Sequence, residues 1–145
     1  GYLPFKWRGW LDFGCGAIGD MACHIVDPVF WALKLYEAPY FTVEVVQQEG
    51  MTKQTFPKRS VIKYEFPARG NMDAVTVFWY DGGRRPERPE GIPKREKLGD
   101  GDNGSLFVGT DGFLTTGTYG ERPRAAGFSP RKRWCIVVLP TSETA

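Results

Sequence analysis

The pattern of apolar and polar positions predicts a helical first part of the chain. From Gly19 to about Leu35, apolar residues recur at the three- and four-residue spacing of an α-helix. Pro28 interrupts this pattern. Because proline lacks a backbone N–H donor, we expect a kink there, or two abutting helices with Asp27 capping the second. Asp20 is expected in the first turn, where a carboxylate is favoured by the exposed backbone N–H groups.

After residue 41 the apolar period changes to two, which is typical of β-strands. Three such segments run from Thr42 to Gln48, from Ser60 to Phe66 and from Ala74 to Tyr80. In the second segment Ile62, Tyr64 and Phe66 share one face, whereas Lys63 and Glu65 point the other way. This alternation predicts a sheet with one face on a core and one wetter face.

Residues 81–104 are rich in proline, glycine and charged side chains, which predicts a long surface loop, either mobile and functional or simply solvated. A hairpin is predicted next, with Thr110, Asp111 and Gly112 at its turn, and the segment WCIVVLP predicts a last strand. The 145 residues fit one domain. A helical segment followed by antiparallel strands predicts the α+β class, with an open, mostly antiparallel β-sheet and the helix packed on one face.

The net charge, the apolar runs and the cysteines give no indication of a nucleic-acid partner, a membrane span or a disulfide framework. The net charge is +2, from 19 basic and 17 acidic residues, so there is no electrostatic reason to expect nucleic acid or an anionic membrane surface as a partner. No apolar run reaches the length of a membrane span. The three cysteines, Cys15, Cys23 and Cys135, match neither a disulfide framework nor a zinc pattern, so reduced thiols are expected.

A glycine-rich run, Gly14-Cys15-Gly16-Ala17-Ile18-Gly19, matches the G-x-G-x-x-G pattern of dinucleotide-binding loops. Its context argues against that function, because no buried aliphatic strand precedes it and no acidic residue ends a second strand about twenty positions later. Asp20 would also place a negative charge beside the pyrophosphate. The alternative is a structural turn in which the glycines allow the backbone to pack closely at the helix entry.

One acid and the single histidine lie one helical turn apart. Asp20 and His24 share a helix face because they are four residues apart. Histidine changes its charge near neutral pH, so a positioned His24 can take a proton from a substrate hydroxyl. The alternative is a histidine packed for structural reasons and hydrogen-bonded to the acid. Two such residues are too few for a metal site, and none is expected.

Residues 5–35, FKWRGWLDFGCGAIGDMACHIVDPVFWALKL, resemble the start of the second domain of the Gfo/Idh/MocA family, named after glucose–fructose oxidoreductase, inositol dehydrogenase and MocA. Members carry a glycine-rich run, then an aspartate, then a histidine four residues later. Here these are Gly14-Cys15-Gly16, Asp20 and His24. DGGRRPERP and GSLFVGTDGFLTTGTYGERPR also look like later parts of one bacterial branch. The resemblance covers about Tyr2 to Arg124, and residues 125–145 depart from it.

The resemblance implies that this chain is the substrate-binding half of an NAD(P)-dependent sugar or cyclitol dehydrogenase. His24 would act as the acid/base and Asp20 would orient the hydroxyl being oxidised. In the family an N-terminal Rossmann domain holds NAD or NADP and supplies a lysine. This chain contains neither that domain nor that lysine, so we expect it to bind no cofactor and to be inactive alone. The family's sheet often forms the oligomer interface, which implies a homo-oligomer through the β-sheet.

Four residues ahead of the motif are candidates for the sugar site: Trp7, Arg8, Trp10 and Asp12. Sugars are commonly held by planar hydrogen-bonding groups and flat apolar faces, which an arginine beside tryptophans supplies. Core packing explains the tryptophans equally well.

Two other functions stay open at this point. The chain is either a non-catalytic module that binds a carbohydrate or oligomerises, or a nucleotide binder that uses Gly14 to Gly19. The expected compartment is the cytoplasm, or the periplasm if an export signal lies in a missing N-terminal part.

Overall fold

The computed structural model describes residues 3–90, 92, 94, 95, 97–101, 103–110, 112–126 and 134–139, and shows two helices and a seven-stranded sheet. The helices are α1 (Gly16–Ile25) and α2 (Asp27–Ala32), with short 3-10 helices at Lys6–Gly9 and Leu35–Glu37. The strands are β1 (Thr42–Glu49), β2 (Arg59–Phe66), β3 (Val75–Tyr80), β4 (Gly104–Gly109), β5 (Gly112–Thr116), β6 (Arg124–Ala126) and β7 (Trp134–Leu139).

The strand order across the sheet is β1-β2-β3-β7-β4-β5-β6. The strands β1-β2-β3 and β4-β5-β6 form two antiparallel triplets. The last strand joins them, parallel to β3 and antiparallel to β4. An open, mostly antiparallel sheet with helices on one face confirms the α+β class. The predicted strands and the last strand are present, whereas β6 was not predicted because it is only three residues long.

Strand register places the alternating side chains of β2 as the sequence predicts. Tyr64 lies between Val43 of β1 and Val77 of β3, on the face that carries the helices. On the other face the Lys63 ammonium pairs with the carboxylates of Glu65 at 2.9 Å and Glu44 at 3.6 Å. Around Lys63 and Glu65 the two faces of β2 therefore differ in polarity, as predicted.

The helical segment confirms the expected break at Pro28 and corrects two details. Helix α1 begins at Gly16, so Asp20 lies beyond its first turn. Two helices abut at Val26, but Asp27 is the first residue of α2 and no side chain caps that helix. The reason is that Val26 keeps α-helical backbone angles, so the chain has no extended residue at which a cap would act.

Apolar side chains of the helices cover the sheet. Ile25 and Val29 are fully buried, and they share a cluster with Val75, Val77 and Trp79 of β3. Burial of each such side chain stabilises the fold by about 1.5–3 kcal/mol. The helices are therefore fixed on the sheet by one continuous core.

Arg69 fixes the end of the helical segment. Its buried guanidinium donates hydrogen bonds to the carbonyls of Leu33 and Lys34, just past α2, and to those of Pro67 and Asp73. Burial lowers the pKa of Arg69 below its usual value. One side chain thus donates to the Leu33 carbonyl at the end of the helix and shares the Lys34 carbonyl with the Glu37 N–H.

The long segment after β3 is not solvated throughout. Its first residue, Asp81, is buried and accepts hydrogen bonds from Ser60 Oγ at 2.7 Å, from Trp79 Nε1 at 2.9 Å and from the Ser60 backbone. Further along, Ile92 is buried against Leu106 on the sheet face opposite the helices. At least part of the segment therefore packs on the domain.

Because β7 pairs on both sides, proline in it is expected to be far more damaging than proline at the sheet edge. Val137 pairs with Phe78 of β3 and with Leu106 of β4, whereas Val46 lies at a bulge on the edge strand β1. We expect Val137→Pro to lower the free energy of unfolding by ~2–3 kcal/mol or more, because a ladder hydrogen bond is lost in the sheet interior. Val46→Pro should cost less than half as much. Urea denaturation followed by circular dichroism measures both, and equal costs would contradict a central β7.

Candidate functional site

An ion pair joins the first 3-10 helix to α1. Nη1 of Arg8 contacts Oδ2 of Asp20, and the guanidinium carbon lies 4.0 Å from the centre of the Phe5 ring. The side chains of Arg8 and Asp20 are 19% and 36% exposed, so the pair is partly shielded from water. The Phe5 ring adds a cation–π contact on one side of the guanidinium. The structure thus brings two of the predicted site residues into direct contact.

His24 lies one turn further along α1 and is exposed. Its ring meets the Tyr119 ring edge-on, with centroids 5.2 Å apart and planes at 72°. Within the described part of the chain, no hydrogen bond joins His24 to Asp20. The acid is held by Arg8, and the imidazole remains open to a ligand approaching from solvent.

A tight turn after β5 presents Tyr119 to the histidine. The Tyr119 backbone N–H donates to the Glu121 carboxylate at 2.8 Å, and Gly120, with φ of +80°, returns the chain. A Cβ at Gly120 would lie 2.8 Å from Cγ of Pro28, so the turn packs directly on α2. Thr118 adds a 2.5 Å hydrogen bond to Asp100 in the long loop. The Tyr119 position is therefore set by contacts on both sides.

The glycine run serves close packing in this structure. A Cβ at Gly14 would collide with the Arg8 backbone, and one at Gly16 would lie 2.7 Å from the Phe56 ring. Gly19 leaves the same kind of space for the Cys15 side chain. Before the run, the chain forms a 3-10 helix and a single bridge from Trp10 to Thr55, not a buried strand. The strand–turn–helix context that a dinucleotide fingerprint requires does not occur here.

In the clefts that the described residues form around Trp7 and Trp10, neither Asp20 nor His24 belongs to the lining. Trp7 is 56% exposed and lines a shallow cleft with Leu3, Pro4 and Phe5. Trp10 lines a neighbouring cleft of about 230 Å³, which shares Leu3 with the first. Asp12 is exposed. Of the four residues ahead of the motif, Arg8 is the one that pairs with Asp20.

Sequence reasoning missed two residues of this site, Phe5 and Tyr119. Phe5 has a positive φ of 71°, which is uncommon for a non-glycine residue and turns the chain so that the ring covers Arg8. Tyr119 is separated from His24 by most of the chain. The one local signal for it is the pair of glycines, Gly117 and Gly120, that flanks a tyrosine in a turn.

Among the residues that the structure describes, no three His, Cys, Asp or Glu side chains cluster as metal ligands would. In the same residues, no helix has the length and apolarity needed to cross a bilayer.

In comparisons with models of known protein families and with curated proteins, no match to this chain was found.

Alanine substitutions at two glycines with similar φ distinguish the free-energy cost of a strained backbone from that of a crowded side chain. Gly83 has φ of +79° and no atom within 4 Å of the position that an added Cβ would take, whereas Gly16 has φ of +69° and faces Phe56. We expect Gly83→Ala to destabilise the protein by about 1 kcal/mol through backbone strain alone. Gly16→Ala should cost about 1–3 kcal/mol more, because the ring must move. Thermal unfolding of both variants measures the difference, and equal costs would show that Gly16 is needed only for its φ.

Proposed function

We propose that this chain is the substrate-binding domain of an NAD(P)-dependent sugar or cyclitol dehydrogenase, with His24 as its acid/base. The observation that carries the proposal is the exposed His24 one turn after an Asp20 that is held in place by Arg8. The resemblance of residues 5–35 to the Gfo/Idh/MocA family supports the same assignment. Nothing in this chain is assigned to cofactor binding, which belongs to a separate Rossmann domain.

In this proposal His24 takes the proton of a substrate hydroxyl as the C–O bond becomes a carbonyl. The nicotinamide of a bound NAD(P) would accept the hydride from the same carbon. The imidazole begins neutral and ends protonated, and it passes the proton to water before the next turnover. The T-shaped contact with Tyr119 limits the orientations of the ring, which helps to hold its nitrogen towards the hydroxyl.

Asp20 and Arg8 have a positioning role. Of the two carboxylate oxygens, Oδ2 contacts Arg8, and Oδ1 is available to accept a hydrogen bond from the hydroxyl being oxidised or from its neighbour. The ion pair keeps the acid from turning towards His24, so a substrate can bind between the two without first breaking a hydrogen bond.

A non-catalytic carbohydrate-binding or oligomerisation module is the second candidate. It is favoured by one observation, namely that Asp20 is bound to Arg8 and not to the histidine. In such a module the ion pair serves mainly to join two elements of the fold, and the histidine need not transfer a proton.

The catalytic proposal predicts a large and specific effect at His24. In the enzyme formed by this domain and its cofactor domain, we expect His24→Ala to lower kcat by ~10²–10⁴-fold, because the base is lost. KM for the sugar should change little. Cys23→Ala is the matched control, since Cys23 is the exposed neighbour on the same helix. Steady-state oxidation of sugars and cyclitols measures both. Undiminished turnover in His24→Ala would remove the histidine from the mechanism, and binding without turnover in every variant would favour the module.

We also propose a homo-oligomer formed through the sheet, with β1 as the contact. β1 is an edge strand whose eight residues are all exposed, and Val43, Val45 and Val46 are 57%, 57% and 52% exposed. An exposed edge with apolar side chains favours pairing with another chain.

The oligomer proposal predicts that a charge on this strand separates the subunits. Val45→Lys should shift the protein from dimer to monomer in sedimentation experiments, since lysine on an edge strand opposes pairing between chains. Met51→Lys adds the same charge at a 52% exposed position outside the strand and should leave the dimer intact. A monomeric parent protein, or the same mass for both variants, would contradict the proposal.

A further inference from the structure

A cavity of about 380 Å³ lies between the helices and the sheet, behind the face of α1 that carries the candidate site. Its helix wall contains Ile18, Ala22 and Val26, four residues apart along one face. Asp20 and His24 are offset from that row by two residues, or roughly 200° around the helix. The cavity and the candidate sugar site are therefore on opposite faces of the same helix.

The lining of the cavity is apolar and carries no charged side chain. Its polar side-chain groups are the hydroxyls of Tyr36 and Tyr64 and the indole N–H of Trp79, and the last already donates to Asp81. Burial raises the pKa of Tyr64, so its hydroxyl stays neutral at physiological pH. A charged ligand would lose its hydration here without gaining a partner of opposite charge, so the lining selects an uncharged one.

Aromatic rings form the sides of the cavity mouth. Phe41 stacks on Phe66 with centroids 5.1 Å apart, and Phe30 lies 6.0 Å from Tyr36. Phe41 and Phe30 are 52% and 39% exposed, whereas the floor at Val77 is buried. The cavity is therefore open at one side between flat rings and closed at its base, a shape that accepts a flat ring system.

The volume of the cavity indicates whether its ligand is a small molecule or a segment of polypeptide. One turn of an α-helix about 10 Å across fills roughly 400 Å³, so the cavity would hold a single turn. One turn is too short to form a stable helix alone. Small-molecule sites in proteins begin at about 300 Å³. The size thus matches a compact ligand better than a docked segment of chain.

We propose that this cavity is a binding site for an uncharged, mainly apolar molecule that contains an aromatic ring system. The proposal is independent of the function of His24 and applies to the chain by itself. The neutral dye N-phenyl-1-naphthylamine has the required chemistry, and its fluorescence rises when it leaves water.

The test is a titration of the chain with this dye. We expect saturable binding of one dye per chain. In Ala22→Leu the larger side chain fills the cavity from the helix wall, and we expect the affinity to fall by about tenfold or more because the space is lost. Ala32→Leu is the matched control, since Ala32 is an exposed helix residue that does not line the cavity. It should bind as the parent does.

A second variant keeps the test decisive if Ala22→Leu does not fold by circular dichroism. Phe41→Ala removes one aromatic side of the mouth at a half-exposed position and should weaken binding by ~fivefold. The Trp79 indole N–H signal in NMR spectra should shift on dye binding in the parent protein. Unsaturable binding, equal weakening in Ala32→Leu, or an unmoved Trp79 signal would overturn the proposal. So would a dimer that Ala22→Leu dissociates, because the occupant would then be a second copy of the chain.

Discussion

The backbone pairing of β7 with β3 on one side and β4 on the other is the interaction on which the rest of the structure depends. Without it the sheet is two separate antiparallel triplets, one carrying the helices and the other the turn with Tyr119. The core crosses this junction, because Phe107 of β4 belongs to the same cluster as Ile25 of α1. Ser105 Oγ adds a 2.9 Å hydrogen bond to the Ile25 carbonyl. The contact between His24 and Tyr119 is therefore positioned by β7 together with the direct contacts between β4 and α1.

Much of this fold follows from local pattern. The alternation in β2 and the proline in the helical segment predicted the strands, the two faces and the abutting helices, because each depends on residues close together in sequence. The start of α1 was predicted three residues late, because helical periodicity shows in large apolar side chains and the first turn is mainly glycine and alanine. The position of β7 between β3 and β4 was not predictable in this way. Strand order is a long-range property, and the sequence of residues 134–139 does not indicate which strands β7 pairs with.

In the candidate site, too, the local pattern predicted positions on a helix but not the long-range contacts. The four-residue spacing of Asp20 and His24 was sufficient to place both on one helix face. The partners of each were decided elsewhere, by Arg8 in a preceding 3-10 helix and by Tyr119 in a distant turn. An ion pair between charged groups satisfies a carboxylate more strongly than a hydrogen bond from a neutral imidazole does. That difference explains why the acid turns towards the arginine once the glycine run brings the two elements into contact.

Helix α1 has a polar face towards solvent and an apolar face towards the sheet, and its glycine-rich start helps to hold it between them. One face is polar and exposed, and it carries the acid and the histidine. The other contributes Ile18 and Ala22 to an apolar cavity and Ile25 to the core. Gly14 lets the chain pack against the Arg8 backbone, and Gly16 lets the first turn pack against the Phe56 ring, so the start of the helix is fixed by these close contacts. Together with Ile25 in the core, this packing holds the helix although part of its apolar face borders the cavity. A cavity can persist under its middle while the residues on its outer face keep their positions.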